Sequence, residues 1–458
     1  MTAADPVIDT SAPDRAASPP DRAASPADLP ADRSPAEPLV ARMRPFGTTV
    51  FAEMSALAAR TGAINLGQGF PDYDGPAQML ERAVDAIRGG QNQYPPGPGM
   101  PVLRAAVAAH GRRFWDLDYA PDGEILVTAG ATEAISAALL ALCEPGDEVI
   151  CFEPFYDSYA AAITLAGAVR RPVTLRVVDG RYQFDPGQLA AAFGPRTRLV
   201  LLNSPHNPTG KVFDAEELGL IASLCQQHDV IALTDEVYEH MVYSDAPAPH
   251  IPLATLPGMR SRTLRASSAG KTFSCTGWKV GWICGPAPLV GAVLRVKQFL
   301  TYTNAGPLQA AVAHALGSPP SYFAQLSADL QGKRDRLAGG LAEAGFTVLP
   351  AHGTYFLTVD ITPLSGRTFP KSGSAGSADP SRADPAGVDP AGVDLAGVDS
   401  APDGVDFCRA LPARCGVVAV PTQVFYDDPA AGRRLIRFAF CKRDEVLDEA
   451  IGRLSQLT

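Results

Sequence analysis

The chain has 458 residues, of which 46% are hydrophobic and 19% are charged. That length is enough for two or three domains with a large hydrophobic core. The formal net charge is −10, which argues against binding to nucleic acid or to an anionic membrane through a basic surface. The sequence has no apolar run of the about 18 residues that span a bilayer, and no signal-peptide pattern at its start. We therefore expect a protein that acts on small molecules.

The cysteines and histidines narrow the expected chemistry. The eight cysteines lie mostly in apolar runs and include no Cys-x-x-Cys pair. This pattern predicts reduced thiols in the core of a cytoplasmic protein. The seven histidines are scattered without the spacing of metal ligands, so we expect no metal site.

Two segments are rich in Ala, Asp and Pro and contain short repeats: residues 1–38 and residues 363–404. Such compositions cannot bury enough apolar surface to fold. We predict a disordered acidic tail at 1–38 and a disordered insertion at 363–404. The remaining pattern divides into an N-terminal arm with part of a small domain at 39–75, a large domain at 76–310, and a small domain at 311–458 that the insertion interrupts.

Short apolar runs alternate with helical patterns between these segments. Residues 132–142 have helical spacing, and the predicted strands of the large domain are 124–128, 148–152, 199–203, 230–234 and 263–267. Nearly continuous apolar strands separated by helices indicate an α/β fold with a mostly parallel sheet covered on both faces. Helical patterns at 308–316 and 322–345, a strand at 353–359 and a helix at 405–411 predict a smaller α+β domain. Polar residues at the carboxyl ends of parallel strands mark the expected ligand site.

Three polar clusters follow predicted strands. Small residues at 130–132 open a helix and could hold a phosphate, although an ordinary turn with Thr132 as N-cap is the simpler interpretation of this motif alone. Asn207 and the segment Asp235-Glu-Val-Tyr238 follow the next two strands and would face the same crevice. A helix cap and a core tyrosine would be the ordinary interpretation of that segment. Four converging polar groups, however, favour a bound ligand.

Lys271 lies among small residues directly after a strand, where desolvation would lower its pKa and make it a nucleophile. An ordinary surface lysine is the alternative for this residue considered by itself. Gly270-Lys271-Thr272 is not the end of a P-loop, because Arg265 stands where that motif needs its first glycine. The glycines at 67–69 lack the third glycine of a dinucleotide-binding motif.

Several motifs occur together in one order along the chain: Asn65-Leu-Gly-Gln-Gly-Phe-Pro-Asp72, Asn92-Gln-Tyr94, Asn207-Pro-Thr-Gly210, Asp235-Glu-Val-Tyr238, Ser268-Ala-Gly-Lys271 with Gly277-Trp-Lys279, and Arg437-Phe-Ala-Phe440. The set resembles the class I/II aminotransferases, fold-type I enzymes that use pyridoxal 5'-phosphate (PLP). The resemblance covers about 40–360 and 405–457. Within this family, residues 92–99 and 153–159 are similar to kynurenine and glutamine aminotransferases and, more closely, to actinobacterial N-succinyldiaminopimelate aminotransferases.

The resemblance implies a role for each matching residue. Lys271 would join PLP through a Schiff base and transfer protons as the catalytic residue. Asp235 would pair with the pyridine nitrogen, while Tyr238 and Asn207 would contact the phenolic oxygen. The other cofactor contacts that it implies are Ala131, Thr132, Ser268 and Lys279 at the phosphate, Tyr156 stacked on the ring, and Tyr94.

For the substrate, the resemblance implies that Arg437 binds the α-carboxylate as a bidentate fork, with Gly69 and Asn207 beside it. Tyr94 and Tyr302 match residues that these enzymes contribute from the partner subunit, so a homodimer with shared active sites is implied.

The expected activity is transfer of an amino group from glutamate to a 2-oxo acid or an aldehyde. N-succinyl-2-amino-6-oxopimelate, a precursor in lysine biosynthesis, is the acceptor that the narrower likeness favours. A broad aminotransferase for kynurenine, glutamine or methionine and a carbon–sulfur β-lyase stay open as alternatives. A PLP-fold transcriptional regulator is disfavoured, because residues 1–38 are too short and too acidic for a DNA-binding domain.

Overall fold

A computed structural model describes residues 39–364 and 403–457. The predicted tail at 1–38 lies outside the described residues, as does all of the predicted insertion except two residues at each of its ends. Residues 39–44 belong to a separate unit, which contains a 3-10 turn at Ala41–Met43. The described residues from Pro45 onward form the second unit, which contains all the other elements. The boundaries predicted between an arm, a large domain and a small domain stay a prediction.

The described residues contain helices and strands that alternate along most of the chain. The helices are α1 (Val50–Thr61), α2 (Ala77–Arg88), α3 (Pro101–Trp115), α4 (Gly130–Leu142), α5 (Asp157–Leu165), α6 (Pro186–Ala192), α7 (Ala215–Gln227), α8 (Ala269–Thr272), α9 (Ala287–Leu300), α10 (Gly306–Leu316), α11 (Pro320–Glu343), α12 (Gly404–Cys415) and α13 (Asp444–Leu454). The strands are β1 (Ile64–Asn65), β2 (Ile125–Thr128), β3 (Glu148–Glu153), β4 (Val169–Thr174), β5 (Arg176–Val178), β6 (Arg181–Gln183), β7 (Thr197–Asn203), β8 (Ile231–Asp235), β9 (Thr263–Ser268), β10 (Gly281–Cys284), β11 (Thr347–Val348), β12 (Phe356–Asp360), β13 (Val417–Val418), β14 (Val420–Pro421) and β15 (Leu435–Ala439).

A seven-stranded sheet has the strand order β2-β10-β9-β8-β7-β3-β4. Its neighbours pair in parallel except at β10, which is antiparallel to β2 and to β9. The five strands predicted from apolar runs are β2, β3, β7, β8 and β9, each within two residues of its predicted start. The prediction of an α/β fold with a mostly parallel sheet is therefore confirmed.

Helices cover both faces of this sheet. Along β3, Val149 and Cys151 pack into the core that contains α4, α5 and α9, whereas Ile150 and Phe152 pack into the core that contains α6 and α7. Because successive side chains of a strand point to opposite faces, one apolar run supplies both cores. This two-sided burial explains why the strand sequences are almost continuously hydrophobic.

A second, antiparallel sheet has the order β11-β12-β15-β14. It shares a core with α1, α11, α12 and α13. The strand predicted at 353–359 is β12, and the helix predicted at 405–411 is the longer α12. This sheet matters for the site because β15, one of its two central strands, carries Arg437.

The eight cysteines are all free and buried, as the sequence predicted. Among the described residues, no helix combines the length and the apolar character needed to cross a membrane.

Candidate active site

A cavity of about 910 Å³ lies beyond the carboxyl ends of strands β2, β3, β7, β8 and β9. The four-stranded sheet contributes Phe356 and Arg437 to its wall, and helices α1 and α12 close another side. The predicted site residues that line this cavity are Gly69, Ala131, Thr132, Tyr156, Asn207, Asp235, Tyr238, Ser268, Lys271, Lys279 and Arg437. The structure therefore brings together residues that are scattered over most of the sequence.

Asp235 is the last residue of β8 and is buried. The hydroxyl of Tyr159 donates a hydrogen bond of 2.6 Å to its Oδ2, and the side chain of Asn203 donates one of 2.8 Å to its backbone oxygen. Burial raises the pKa of Asp235, while the hydrogen bond from Tyr159 acts against that rise. The carboxyl group of Asp235 is thus held in position, and a cationic partner in the cavity would stabilise its ionised form.

Lys271 lies in the short helix α8, directly after β9, and its amine faces the rings of Tyr238 and Tyr355 at 5.8 and 5.7 Å from their centroids. Desolvation by these walls lowers the pKa of Lys271 to about 8, although the charge of Asp235 acts in the opposite direction. A lysine with this pKa has a substantial neutral fraction near physiological pH, which a nucleophile or a general base requires.

Arg437 lies fully buried in the cavity wall. Its guanidinium donates one hydrogen bond of 2.9 Å to Asn207 Oδ1 and another of 2.9 Å to the backbone oxygen of Gly67. The ring of Phe356 lies 4.0 Å from the guanidinium carbon, and Nε has no hydrogen-bond partner among the described residues. Burial lowers the pKa of Arg437 to about 10, so the group is still charged at neutral pH. Among the described residues, the two groups that accept hydrogen bonds from this buried cation are neutral, so the cation is suited to an anionic ligand such as a carboxylate.

The helix α4 begins at Gly130, which has φ of +75°, and its N-cap residue Ala129 provides no side-chain cap. The Glu133 carboxylate accepts a hydrogen bond of 2.6 Å from the backbone N–H of Ala129, which leaves the N–H groups of residues 130–132 without a side-chain cap. Thr132 is therefore inside the first turn, so the simpler interpretation of Thr132 as the N-cap is wrong. A Cβ added to Gly130 would lie 3.2 Å from Lys279 Nζ, which places that amine close to the helix start. Uncapped N–H groups at a helix N-terminus with a nearby ammonium group are suited to binding a phosphate.

The predicted tyrosines occupy two different environments. Tyr156 lines the cavity, and its ring lies 5.7 Å from that of Tyr159 at an angle of 90°. Tyr94 and Tyr302 do not line the cavity; they lie on the surface, 81% and 54% exposed, with their rings 5.4 Å apart. Within one chain the structure does not bring these two residues to the site.

Sequence reasoning assigned no role to Tyr159, Asn203 or Tyr355. Tyr159 and Asn203 fix Asp235, and the hydroxyl of Tyr355 donates a hydrogen bond of 2.6 Å to the backbone oxygen of Gly69. A tyrosine one helical turn after Tyr156 was visible in the sequence. Its contact with a residue 76 positions away was not visible there.

The structure also brings His110, Glu239 and His240 together in the core, which their linear spacing did not indicate. The two imidazoles already bond each other through their Nε2 atoms at 2.7 Å, and Glu239 accepts a hydrogen bond from Ser267 and is ion-paired with Arg265. Burial lowers the pKa of His110 to about 4. These polar groups have partners within the protein, and the charge of Arg265 disfavours a cation here, so the cluster gives no reason to infer a metal ion.

A family model for aminotransferase class I and II matches residues 61–454. The chain belongs to the class I and II aminotransferases. The probable N-succinyldiaminopimelate aminotransferase DapC of Mycobacterium tuberculosis is 50% identical over 428 residues, which cover 91% of this chain and 98% of that protein. The methionine aminotransferase of Escherichia coli is 38% identical over 91% of this chain and 98% of its own length. The solved structure of the N-succinyldiaminopimelate aminotransferase from Mycobacterium tuberculosis superposes with a TM-score of 0.82 at 49% identity, covering 92% of this chain and 100% of that chain.

Aminotransferases of this family use PLP, and this chain is a PLP-dependent aminotransferase of the fold-type I architecture. The cavity fits that cofactor chemically. PLP carries a phosphate, a basic ring nitrogen, a phenolic oxygen and an aldehyde. The uncapped start of α4, the carboxyl group of Asp235, the hydroxyl of Tyr238 and the amine of Lys271 all face the same cavity and match these groups in turn.

Proposed function

We propose that this aminotransferase moves the amino group of glutamate to N-succinyl-2-amino-6-oxopimelate, a step in lysine biosynthesis. The observation that carries this proposal is the 50% identity, over nearly the whole of both chains, with a relative named as an N-succinyldiaminopimelate aminotransferase. The cavity is compatible with an anionic acceptor, because four cationic side chains line it in the described part of the chain: Lys271, Lys279, Arg409 and Arg437.

Lys271 is the catalytic residue of the proposal. PLP, when bound, supplies an electron-withdrawing ring that makes the Cα proton of the substrate acidic. The neutral amine of Lys271 removes that proton, which its lowered pKa of about 8 favours. The nearby carboxylate of Asp235 keeps part of the Lys271 population protonated, so the same side chain can also return a proton.

Asp235 holds the ring nitrogen of PLP in its protonated state, since a buried carboxylate is stabilised by a cationic partner. The hydrogen bond from Tyr159 fixes the carboxylate in place at 2.6 Å. Tyr238 and Asn207 bind the phenolic oxygen, and Tyr156 packs against the ring. The phosphate is bound by the backbone N–H groups of Ala131 and Thr132, by the Ser268 hydroxyl and by the Lys279 ammonium group.

Arg437 binds the α-carboxylate of the substrate in the proposed enzyme. Asn207 orients it through the hydrogen bond to the guanidinium, and the free Nε is a further donor for the incoming carboxylate. A Cβ on Gly69 would lie 2.4 Å from Phe356 Cζ, so only glycine lets the backbone pass close to this position.

We also propose a cytoplasmic homodimer. The surface around Tyr94 and Tyr302 is unusually apolar, since Phe299 is 85% exposed and Leu300 is 50% exposed. Exposed large apolar groups that lie together favour burial against another protein surface. In the proposed dimer these residues face the partner, and Tyr94 completes the cofactor site of the partner subunit. The buried free cysteines favour a reducing compartment.

A panel of acceptors with glutamate as the common donor tests the proposal. The succinylated oxo-pimelate should give the highest kcat/KM, and Lys271→Ala should abolish both the activity and the absorbance band of lysine-bound PLP. Equal or better rates with 2-oxo acids of methionine, glutamine or kynurenine would replace the proposal with a broad aminotransferase. Release of pyruvate and ammonia from cysteine conjugates, without any 2-oxo acid, would identify a carbon–sulfur β-lyase.

A further inference from the structure

The proposed chemistry assigns no role to Arg409, a cationic residue of the cavity wall. Of the four cationic residues that line the cavity in the described part of the chain, Lys271, Lys279 and Arg437 serve proton transfer, the phosphate and the α-carboxylate. Arg409 lies on α12, together with Val405 one turn earlier on the same face, and both line the cavity. Its side chain is 42% exposed, so it is accessible from the cavity mouth.

Arg409 is held by Glu53 of α1, whose Oε1 accepts a hydrogen bond of 2.7 Å from the guanidinium Nε. The side chain of Glu53 is 41% exposed and also lines the cavity. Such exposed ion pairs contribute little to stability, because water screens them. Displacement of the Glu53 carboxylate from Arg409 by a carboxylate of a ligand therefore costs little free energy.

The proposed acceptor brings carboxylates that need such a partner. N-succinyl-2-amino-6-oxopimelate has one carboxylate beside its oxo group, one beside the amide nitrogen and one at the end of the succinyl group. The first is the counterpart of Arg437, and the other two lie at the far end of the molecule. When a carboxylate leaves water, a guanidinium stabilises it well, because it can bind the carboxylate with two parallel hydrogen bonds.

We infer that Arg409 is a specificity residue that binds a distal carboxylate of the acceptor, and that Glu53 occupies this guanidinium until the acceptor displaces it. The inference rests on the proposed function, since it requires an acceptor with a carboxylate at the far end. Glu53 then acts as a competitor that excludes weakly anionic compounds from the distal subsite. Acceptors with a single carboxylate reach Arg437 but gain nothing from Arg409.

The alternative role of the pair is to tie α1 to α12, and the two roles predict different mutational patterns. If the pair is only structural, Arg409→Met and Glu53→Gln remove the same contact and change the kinetics in the same direction. If Arg409 binds the acceptor, the two substitutions act in opposite directions. Loss of the arginine removes the binding group, whereas loss of the glutamate charge leaves that group free.

The experiment compares kcat/KM of the PLP-loaded enzyme for two acceptors, the succinylated oxo-pimelate and the monocarboxylate 4-methylthio-2-oxobutanoate. For a ping-pong enzyme, the kcat/KM for an acceptor reports the acceptor half-reaction alone. We expect Arg409→Met to lower kcat/KM for the succinylated acceptor up to about fivefold through KM, the upper end of what a contact with a partly exposed guanidinium contributes. The kcat/KM for the monocarboxylate should change less than about twofold. Arg409→Lys should recover part of the loss, and Glu53→Gln should increase kcat/KM for the succinylated acceptor.

Arg336→Met is the matched control. Its side chain is 43% exposed and pairs with Asp444 and Asp448, so it joins two helices as Arg409 does but does not line the cavity. This variant should leave kcat/KM unchanged for both acceptors. Equal losses on both acceptors in Arg409→Met and Glu53→Gln, or no loss in Arg409→Met, would overturn the inference while the proposed function stands. A wild-type enzyme that rejects the succinylated acceptor would overturn the proposed function and this inference with it.

Discussion

Replacement of Lys271 by methionine should stabilise the cofactor-free protein, although it abolishes activity. The cavity walls lower the pKa of this lysine from 10.5 to about 8, which means that the folded state disfavours the charged amine. The unfolded chain has no such penalty. The protonated amine therefore reduces the free energy of unfolding wherever the unfolded state binds the proton more tightly than the folded state does.

The magnitude follows from the two pKa values. Below pH 8 the full difference between the two pKa values applies, which corresponds to about 3 kcal/mol. Between pH 8 and 10.5 the folded lysine is neutral while the unfolded lysine is still protonated, so the penalty falls as the pH rises. By pH 10 the penalty has fallen to about 1 kcal/mol, and well above pH 10.5 it disappears. The advantage of Lys271→Met over the wild type should thus shrink by about 2 kcal/mol from pH 7 to pH 10.

Denaturant unfolding of the two apoproteins at equal subunit concentration measures this advantage at each pH. The titrating groups that do not interact with Lys271 are common to both proteins, so their effects cancel in the difference. The packing difference between methionine and lysine adds a constant that does not depend on pH. A difference in unfolding free energy that stays the same from pH 7 to pH 10 would refute the assignment of a lowered pKa to Lys271.

Three further substitutions test other parts of the site. Tyr159→Phe removes the hydrogen bond to Asp235 and should weaken PLP binding about tenfold or more, as measured by cofactor titration, while the fold is retained by circular dichroism. Arg437→Lys cannot form the bidentate contact and should lower kcat/KM about thirtyfold for every amino donor; an effect confined to one donor would contradict a role at the shared α-carboxylate. Gly130→Ala places a Cβ at φ of +75° near Lys279 Nζ, so calorimetry should show weaker binding of inorganic phosphate to the apoprotein and a loss of about 1 kcal/mol of stability.

The central sheet was predictable because its strands are buried on both sides. Apolar runs such as 148–152 have no helical alternation, and they became strands within one or two residues of their predicted ends. β4 was not predicted, since this edge strand contains Arg170, Arg171 and Pro172 and reads as polar. β10 (Gly281–Cys284) was also not predicted.

The site was predictable only as far as its motifs reach. Lys271, Asp235 and Arg437 stand in recognisable motifs, and the structure places all three around one cavity. The hydrogen bond from Tyr159 to Asp235 joins residues 76 positions apart, and that between His110 and His240 joins residues 130 positions apart. Such contacts depend on how the strands and helices pack, so no local pattern of the sequence indicates them.

The position of Arg437 on β15 has a consequence for the order in which the enzyme is made. Along the sequence, the proposed cofactor contacts within one chain, from Ala131 to Lys279, come after β2 and before β10. Arg437 comes more than 150 residues after Lys279, on a strand that must pair between β12 and β14. During synthesis, the ribosome releases every one of those cofactor-binding residues long before it makes the residue that binds the substrate carboxylate. The part of the site that we propose to bind the substrate carboxylate is therefore the last to be synthesised.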